Sequence, residues 1–392
     1  MRVLFIISDL GFHGAQKQVV ELSRGLAARG HAVAIYTLNE DAGRAKELEG
    51  SGVELVVDQK RTKLDPGVLW RLHRFIRRFR ADIVHGFLFD GDIYARLAAV
   101  GTKAVVFNSE RSANYTISRT QHWAHRATRG LVDAVVANSH AGARFAGKLY
   151  GYDPAHMHVV WNGMRIDEFE RKGASAHDYR TEFFGPGEYR IACMIGHIKP
   201  AKDYPLALDV AAALVNGYPE WRVLFLGEAL SGKGEYRTGS DSDTSGYKRA
   251  VIDKYERLGL AGKVVFAGAR SDAPAILKQC DVQLMTSAWE GFPNVVLEGM
   301  VLGVPVVSTD YSDIREILPR MDQVVGSRKP EELAKAIVTV AADRTAVVAE
   351  QKRWVQAHAG IDKATQELER VYERYLHPAP RALTARELRE EG

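Results

Sequence analysis

Short runs of apolar and β-branched residues alternate with amphipathic helical stretches from one end of this chain to the other. That alternation predicts repeated strand–helix units, which build parallel sheets covered by helices on both faces. The chain has 392 residues, more than one hydrophobic core usually organises, so we expect two domains. The predicted fold class is therefore α/β, with two doubly wound parallel sheets.

The strand pattern falls into two series separated by a segment without periodicity. In the first series we expect helices such as 16–29 and 66–80 between strands at residues 3–7, 32–36, 54–57, 82–86, 104–108 and 134–137. In the second series we expect strands at residues 191–194, 222–226, 264–267, 282–286 and 306–308. Charged, glycine-containing sequence over 161–189 separates the two and predicts an interdomain linker.

The domain boundaries follow from this division. We place a first domain at residues 1–165, a linker at 166–189 and a second domain at 190–360. Residues 361–392 are expected to form a helix that returns to the first domain, followed by a tail.

Composition narrows the class of protein. Charged residues make up 26% and hydrophobic residues 46% of the chain, which is typical of a folded globular protein. The apolar run at the start ends at Asp9 and is too short for a signal peptide or a membrane span, so we expect a cytoplasmic protein. Cys193 and Cys280 lie in apolar, strand-like sequence, which is typical of reduced core thiols.

A metal site is not expected. The polar segment SGKGEYRTGSDSDTSGYK, after the strand at 222–226, predicts a surface loop that contains the Asp-x-Asp pair Asp241 and Asp243. Such a pair in a Ser/Gly-rich loop is more typical of a solvated turn than of a metal site. We therefore predict no bound metal and no cofactor.

The most informative segment is TSAWEGFPNVVLEGMVLGVPVVSTD, where a predicted strand ends at Thr286 and a helix is expected to begin near Asn294. Glu290 in the turn and Glu298 in the helix could address different parts of one elongated ligand at the carboxyl edge of the sheet. Amides at the start of that helix suit a diphosphate. Two isolated glutamates are usually solvated, but the turn and the strand that flank them favour a site.

This Glu-x7-Glu segment resembles the signature of the family 4 glycosyltransferases, which are retaining enzymes of the GT-B architecture. Similar pieces follow in order along almost the whole chain, in GFHGAQKQVVELSRGLAARGHAV, VVANSHAGARF, VVWNGMRIDEFE and IGHIKPAKDYPLAL. The resemblance implies two facing Rossmann-like domains with a deep cleft, the first binding the acceptor and the second the nucleotide sugar. It implies metal-independent transfer of a hexose-type sugar from a nucleoside-diphosphate sugar to a hydroxyl of a glycan or lipid-linked acceptor, as in polysaccharide biosynthesis.

The resemblance also implies roles on the donor side. Glu290 would orient the donor sugar, Glu298 would hold the ribose, and Lys202 would neutralise the diphosphate. Relatives commonly carry Arg where this chain has His197, a weaker and pH-dependent donor for which Lys199 could compensate. The donor-binding candidates are Gly14, Gly196, His197, Lys202, Gly227, Arg270, Glu290, Gly291, Phe292, Asn294 and Glu298.

A second group of candidates lies in the first domain. The family tends to place a histidine after the fifth strand, whereas VVFNSERSANY puts Glu110 and Arg111 there, Arg111 being suited to an anionic acceptor and Glu110 to a sugar hydroxyl. The catalytic candidates are Glu290, Lys202, Glu110 and Arg111. The acceptor-side candidates are His13, His85, Asp90 and Arg111.

One predicted helix is unusually basic. It combines arginines with an apolar stripe, a pattern that could rest on an anionic membrane surface and make the protein peripheral to the plasma membrane. The more usual explanation packs the stripe on the sheet and leaves the arginines in water. The basic residues are Arg71, Arg74, Arg77, Arg78 and Arg80, and the apolar ones are Leu69, Leu72, Phe75, Ile76 and Phe79.

Other functions stay open. A nucleotide-sugar epimerase of the same architecture would bind a similar donor without an acceptor, and a non-catalytic protein could bind a nucleotide without turnover. The chain has no Gly-x-Gly-x-x-Gly after its strands, which disfavours NAD or FAD. A net charge of +4 without a recognition module disfavours nucleic acid. The donor base, the sugar and the acceptor are not predicted.

Overall fold

The structure is a computed structural model that describes residues 1–113, 117–228, 230 and 244–377. Within these residues the chain forms two parallel sheets, one of seven strands and one of six, each covered by helices on both faces. The predicted α/β class and the two facing Rossmann-like domains are confirmed. The Asp241 and Asp243 pair lies outside the described residues.

The first sheet has the strand order β3-β2-β1-β4-β5-β6-β7. Its strands are β1 (Arg2–Ile7), β2 (Ala32–Thr37), β3 (Glu54–Val57), β4 (Ile83–Phe87), β5 (Val105–Glu110), β6 (Ala134–Ala137) and β7 (Met157–Val159). The first six match the predicted strands within two residues. The seventh was missed because it is a three-residue, half-buried edge strand whose pattern is too short to recognise.

Helices cover this sheet on both faces. They are α1 (Gly14–Ala28), α2 (Pro66–Phe79), α3 (Leu88–Ala99), α4 (Arg119–Thr128) and α5 (His140–Tyr150). The sequence explains why α2 begins where it does. The Asp65 side chain caps the helix by accepting hydrogen bonds from the amides of Gly67 and Val68, and Pro66 occupies the first helical position. The helix ends at Phe79, one residue before the predicted Arg80, which has left-handed backbone angles.

The segment between the domains is not irregular throughout. It contains α6 (Ile166–Lys172) and α7 (Tyr179–Phe184), and the Arg180 side chain on α7 forms an ion pair of 3.0 Å with Asp281 of the second domain. Short charged helices such as these have no long apolar stripe, so periodicity did not reveal them.

The second sheet repeats the order of the first, β10-β9-β8-β11-β12-β13. Its strands are β8 (Arg190–Ile195), β9 (Trp221–Leu226), β10 (Val264–Phe266), β11 (Val282–Met285), β12 (Val306–Thr309) and β13 (Val324–Val325). Its helices are α8 (Tyr204–Gly217), α9 (Thr244–Arg257), α10 (Ala273–Lys278), α11 (Asn294–Val301), α12 (Ile314–Ile317), α13 (Pro330–Ala342) and α14 (Arg344–His358). Only the two-residue β13 was not predicted.

The last described helix, α15 (Ile361–Leu376), packs on the first domain rather than the second. It lies against α1 so closely that a Cβ on Gly25 would come within 2.3 Å of the Thr365 hydroxyl oxygen. Tyr372 on this helix is fully buried in the core of the first sheet. The chain therefore crosses from the first domain to the second and back.

Both cysteines are buried free thiols in the core of the second domain. In the part of the chain that the structure describes, no helix is long and apolar enough to cross a membrane.

Candidate functional site

A cavity of about 360 Å³ opens between the two domains. It lies at the carboxyl ends of the strands, where parallel α/β sheets bind ligands at the point of strand-order reversal. In the first sheet that point is β1 beside β4, and in the second it is β8 beside β11. The first-domain lining residues are Gly14, Ala15, Gln18, Leu88, Arg111, Asn138 and Asn162. The second-domain lining residues are Ile195, Gly196, His197, Lys199, Lys202, Glu290, Gly291, Phe292, Pro293, Asn294, Val295 and Glu298.

The second-domain wall is built from the two segments that follow β8 and β11. Lys202 is only 6% exposed, and its ammonium group forms an ion pair of 2.7 Å with Glu290. The hydroxyl of Thr286 donates to the Lys202 carbonyl at 2.8 Å, and the hydroxyl of Ser287 donates to Glu290 at 3.1 Å. Lys202 and Glu290, both predicted site residues, are therefore ion-paired with each other at the cavity.

Glu298 has a partner that the sequence did not reveal. Its carboxylate forms an ion pair of 2.9 Å with Lys17, which lies on α1 in the first domain. Both partners are about a fifth exposed. The two glutamates of the Glu-x7-Glu segment are thus each paired with a lysine, and the second pair ties the two domains together. The only available signal for Lys17 was its place one turn into the helix that Gly14 begins.

The first residues of α1 and α11 meet at this cavity. A Cβ on Gly14 would lie 3.1 Å from the amide nitrogen of the Asn294 side chain. Two of the first three amides of α11 already have acceptors, since Asn294 donates to the Phe292 carbonyl and Val296 to the Pro293 carbonyl, each at 3.0 Å. Fewer amides therefore point to a ligand than the sequence predicted, and within the described chain the Val295 amide is the one left without a partner.

His197 and Lys199 also line the second-domain wall. Burial lowers the pKa of His197, while the nearby Glu228 carboxylate raises it and Lys199 lowers it. The lowered pKa favours the neutral imidazole at pH 7. It differs in this respect from the arginine that the family resemblance led us to expect at this position.

Gly291 lies where the backbones of the two domains approach each other closely. A Cβ there would lie 2.2 Å from the Arg111 carbonyl oxygen, so no other residue fits without moving the domains apart. The Gly291 carbonyl accepts a hydrogen bond of 2.7 Å from the Ser312 hydroxyl. Close approach of two backbones therefore explains this glycine.

Arg111 lies on the opposite wall and is held by a chain of hydrogen bonds. One terminal nitrogen donates to the Asn162 side-chain oxygen at 3.1 Å, and the other donates to the Ser109 hydroxyl at 3.1 Å. The Asn162 amide in turn donates to the Asn294 side chain at 2.8 Å, which continues the chain into the second domain. Asn162, which lies in the segment VVWNGMRIDEFE, also lines the cavity.

His85 is a core residue of β4 and does not reach the cavity. It is fully buried, with hydrogen bonds of 2.9 Å to Ser109 and 2.5 Å to the Tyr372 hydroxyl. Burial and the Arg111 charge keep its pKa well below the usual histidine value. His85 thus contacts no acceptor directly, contrary to the prediction, because β4 is an interior strand and its side chain points into the core.

Several other candidates lie outside the cavity lining. Asp90 is ion-paired with Lys60, and Glu110 accepts the amides of Arg111 and Ser112 at 2.9 Å each. His13 is exposed immediately before α1. Gly227 lies behind the wall, where its left-handed backbone (φ +118°) lets it approach the Gly196 carbonyl.

Arg270, one of the predicted donor-binding residues, faces the linker instead. It forms ion pairs of 2.8 Å with both Glu182 and Asp272, and its guanidinium lies over the rings of Tyr179 and Phe183. These contacts hold α7 on the second domain, and Arg270 does not line the cavity.

A second interdomain contact, which the sequence did not predict, lies beside the cavity. The Asp313 carboxylate of the second domain accepts the amides of His140 and Ala141 at the start of α5, at 2.6 and 3.1 Å. Ligand atoms of His140, Asp313 and Glu316 lie within 4.8 Å of one another, a spacing open to a metal ion. Because both Asp313 oxygens already accept amides, the contact is explained as a helix cap supplied by the other domain.

The chain matches two family models that together cover most of its length. Residues 12–168 match the model described as Glycosyltransferase Family 4, and residues 177–359 match the one described as Glycosyl transferases group 1.

Curated proteins show a similar but partial likeness. The chain is 24% identical over 238 residues to the lipopolysaccharide core biosynthesis mannosyltransferase LpsB of Rhizobium meliloti, covering 61% of each. It is 23% identical over 253 residues to the UDP-Gal:alpha-D-GlcNAc-diphosphoundecaprenol alpha-1,3-galactosyltransferase of Escherichia coli, covering 62% of this chain and 61% of that protein. The matches thus span about three fifths of these relatives.

Solved structures match over nearly the whole chain. Anabaena Alr3699/HepE in complex with UDP superposes with a TM-score of 0.76 at 19% identity, covering 94% of this chain and 99% of that one. A glycosyltransferase from Rickettsia africae gives a TM-score of 0.76 at 17% identity, covering 96% and 99%. These likenesses show a shared fold.

Proposed function

Because this chain belongs to the glycosyltransferases that join a family 4 domain to a group 1 domain, we propose that it moves a hexose-type sugar from a nucleoside-diphosphate sugar to a hydroxyl group. The acceptor is a glycan or a lipid-linked saccharide, the anomeric configuration is retained, and no metal ion is required. Such a reaction belongs to polysaccharide or glycolipid assembly. The mannosyltransferase and galactosyltransferase relatives support this class of acceptor by their names.

The observation that carries the proposal is the composition of one cavity. It brings two carboxylates, Glu290 and Glu298, together with the cationic side chains Lys199 and Lys202 at the carboxyl edge of a parallel sheet. A nucleotide sugar needs both features, since its diphosphate is anionic and its ribose and sugar are rich in hydroxyl groups. Alr3699/HepE, which has this fold, was solved with UDP and with UDP-glucose, which supports a nucleotide donor here.

The ion pairs suggest how the donor is received. Lys202 and Lys17 neutralise Glu290 and Glu298 respectively, so neither carboxylate is an unpaired charge. We assign the diphosphate to Lys202, Lys199, His197 and the Val295 amide, the ribose hydroxyls to Glu298, and the sugar hydroxyls to Glu290. Lys202 then bridges an anionic phosphate and the Glu290 carboxylate.

In this arrangement the protein stabilises the negative charge that develops on the leaving nucleoside diphosphate. The bond between the anomeric carbon and the β-phosphate oxygen breaks, and the acceptor oxygen bonds to the same face of that carbon. The acceptor proton passes to the departing phosphate oxygen, so the products are the glycoside and the nucleoside diphosphate. Lys202, Lys199 and the Val295 amide neutralise the developing negative charge, which is where preorganised groups contribute most. No protein nucleophile and no metal take part in this proposal.

A panel of nucleotide-sugar donors is the first test of the proposal. We expect one of UDP-, GDP- or ADP-sugars to raise the melting temperature of the protein, because a ligand that binds only the folded state stabilises it. Glu298→Ala should lose most of that shift, while Glu256→Ala on the exposed surface of α9 should keep it. If no nucleotide or nucleotide sugar shifts either protein, the proposal fails.

Product analysis separates transfer from the epimerase alternative. A transferase leaves the nucleoside diphosphate free and slowly hydrolyses the donor when no acceptor is present. An epimerase instead returns an intact nucleotide sugar with an inverted centre. A donor that binds and stays unchanged for days would favour the non-catalytic alternative.

We also propose that one face of the first domain rests on an anionic membrane surface. The apolar stripe of α2 is buried against the sheet, so it does not enter a membrane as the sequence allowed. However, α2 still exposes Arg74 and Arg77 beside Trp70, which is 58% exposed, and α4 exposes Arg119 and Arg126 around Trp123. Both helices flank α3 on one face of the sheet. Exposed tryptophans among arginines suit the interface of an anionic bilayer.

Co-sedimentation with vesicles tests this surface. The protein should bind phosphatidylglycerol vesicles and not phosphatidylcholine vesicles, and Trp70→Ala with Trp123→Ala should weaken binding. Met321→Ala removes a comparably exposed apolar side chain from the second domain and should leave binding unchanged. Equal binding by all three proteins would contradict the assignment of this face.

A further inference from the structure

The two walls of the cavity differ in charge. The second-domain wall carries cations and carboxylates, whereas among the described lining residues of the first domain only Arg111 is charged. The other first-domain lining residues are Gly14, Ala15, Gln18, Leu88, Asn138 and Asn162. Whatever lies against this wall therefore meets one cation in otherwise neutral surroundings.

Within the described residues, the direct partners of the Arg111 guanidinium are all neutral. Its terminal nitrogens donate to the Asn162 side-chain oxygen and the Ser109 hydroxyl, its buried Nε has no partner among those residues, and its carbon lies 4.7 Å from the centre of the Phe87 ring. Across the described residues Arg111 forms no ion pair of 4.0 Å or less. A buried cation without an anion is costly, and burial accordingly lowers the pKa of Arg111 to about 10.

The nearest carboxylate does not act as the missing anion. Glu110 precedes Arg111, but its Oε1 accepts the backbone amides of Arg111 and Ser112 at 2.9 Å each and so points along the loop. Asp92 lies within α3 and is fully desolvated, a state that raises its pKa well above the usual value. Glu110, Asp92 and Tyr372 only partly offset the effect of burial on Arg111.

The guanidinium is also fixed in place. Ser109 is held by His85, and His85 is held by the Tyr372 hydroxyl of α15, so three buried groups in series support one side of it. Asn162, bonded to Asn294 of the second domain, supports the other side. A cation positioned in this way is preorganised for a ligand, since binding needs no reordering of its side chain.

The cations of the second domain are sufficient for a diphosphate, which leaves Arg111 without a role in the proposed function. Resting on that function, we propose that Arg111 is a specificity residue that recognises a carboxylate or phosphate group on the substrate, beyond the diphosphate. That group belongs either to the transferred sugar, as in a uronic acid, or to the acceptor. A planar guanidinium suits either anion because it can donate two parallel hydrogen bonds.

The first arm of the test compares donors that differ only at the sugar C6 group. We would titrate UDP-glucose against UDP-glucuronate, and GDP-mannose against GDP-mannuronate, by calorimetry. If the transferred sugar carries the anion, the wild type binds one uronate about 10- to 100-fold more tightly than its neutral counterpart. Arg111→Gln abolishes this preference and weakens the binding of the uronate far more than that of the neutral sugar.

The second arm asks whether the acceptor carries the anion. In saturating UDP or GDP, the melting temperature would be followed with glucose 6-phosphate and glucuronate against glucose. If the acceptor carries the anion, the charged compounds stabilise the wild type more than glucose, and Arg111→Gln removes the difference. The donor pairs of the first arm then bind equally well.

Further variants distinguish a loss of anion recognition from a folding defect in Arg111→Gln. Asn162→Asp places a carboxylate where the structure has the amide oxygen 3.1 Å from Arg111, so it should abolish anion selectivity while the guanidinium stays in place. Arg111→Lys should keep part of the selectivity. Arg257→Gln, on the exposed surface of α9, is the matched control and should behave as the wild type.

The outcomes separate this inference from the proposed function. If nucleotides bind but neither arm shows selectivity for an anion, the Arg111 inference is overturned and the proposed function stands. If Arg111→Gln weakens the charged and neutral donors equally, Arg111 serves the diphosphate and the inference is again overturned. If no nucleotide binds, the proposed function itself fails.

Discussion

At the scale of single residues, two ion pairs hold the carboxylates of the site, Lys202 with Glu290 and Lys17 with Glu298. Glu290, Glu298, Lys202 and His197 lie together because they follow neighbouring parallel strands whose ends share one edge. Lys17 was not predicted, because its carboxylate partner lies 281 residues away and in the other domain. Their roles in binding a donor stay a prediction until they are measured.

His197 gives a pH dependence at this scale. Burial lowers its pKa, so it is neutral at pH 7, and a bound diphosphate would favour its protonated form. Donor binding should therefore take up a proton, and affinity should rise as pH falls from 8 towards 6, by at most about tenfold per pH unit. His197→Arg carries a permanent charge and should bind with little dependence on pH.

Calorimetry with a nucleotide sugar measures this directly, because its diphosphate does not titrate in that range. Lys199→Gln is a useful comparison, since it removes a neighbouring charge and leaves the imidazole in place. Identical pH profiles for wild type and His197→Arg would show that the imidazole does not take part in binding.

At the scale of elements, the long strands and helices follow from periodicity, and the short ones do not. Strands such as β1 and β8 are buried runs with clear boundaries. In contrast, β7 and β13 have three and two residues, too few for any pattern. A helix cap that comes from another domain cannot be predicted from sequence either. Helix α5 is an example, because Ser139 caps it locally and Asp313 of the second domain also accepts one of its first amides.

The Asp313 cap gives a prediction about stability. Asp313→Asn keeps one oxygen acceptor but turns an amide donor towards a helix amide, so it should destabilise the protein by about 1–2 kcal/mol. Thermal unfolding should show a melting temperature lower by about 2–4 °C for each kcal/mol.

Asp310→Asn is the matched control, because Asp310 is an exposed residue paired with Arg315 at the surface. Its effect should stay within about 0.5 kcal/mol. Equal melting temperatures for the two variants would mean that the cap between the domains contributes little.

At the scale of the whole molecule, the two domains are in direct contact across the cavity. The number of domains followed from chain length and the two strand series, and their facing arrangement was implied by family resemblance. Which residues touch could not be predicted, because that depends on the relative placement of two separately folded units. Gly291 is an example of such a contact, since nothing in its own segment indicates that it lies against the Arg111 carbonyl.

Gly291 therefore offers a test of closure. Gly291→Ala would place a Cβ 2.2 Å from the Arg111 carbonyl oxygen, so the domains should move apart. We expect a larger radius of gyration by small-angle scattering and a loss of turnover of at least about tenfold, because misplaced reacting groups lose rate. Nucleotide affinity should change less than about threefold, because the second domain supplies most of the donor contacts.

Ala288→Gly, in the same turn, changes chain flexibility without adding a side chain and is the control. If Gly291→Ala lost nucleotide binding with an unchanged radius of gyration, the glycine would serve the ligand rather than the contact between domains.

The proposed function is the transfer of a sugar from a nucleotide sugar with retention of configuration. The most direct test follows the reaction by proton NMR, with the donor that the panel selects and with methanol as a simple acceptor. We expect the wild type to form a methyl glycoside with the same anomeric configuration as the donor, at a rate reduced at least about 100-fold in Lys202→Gln. A product of inverted configuration, or an unchanged rate in Lys202→Gln, would refute the proposed function.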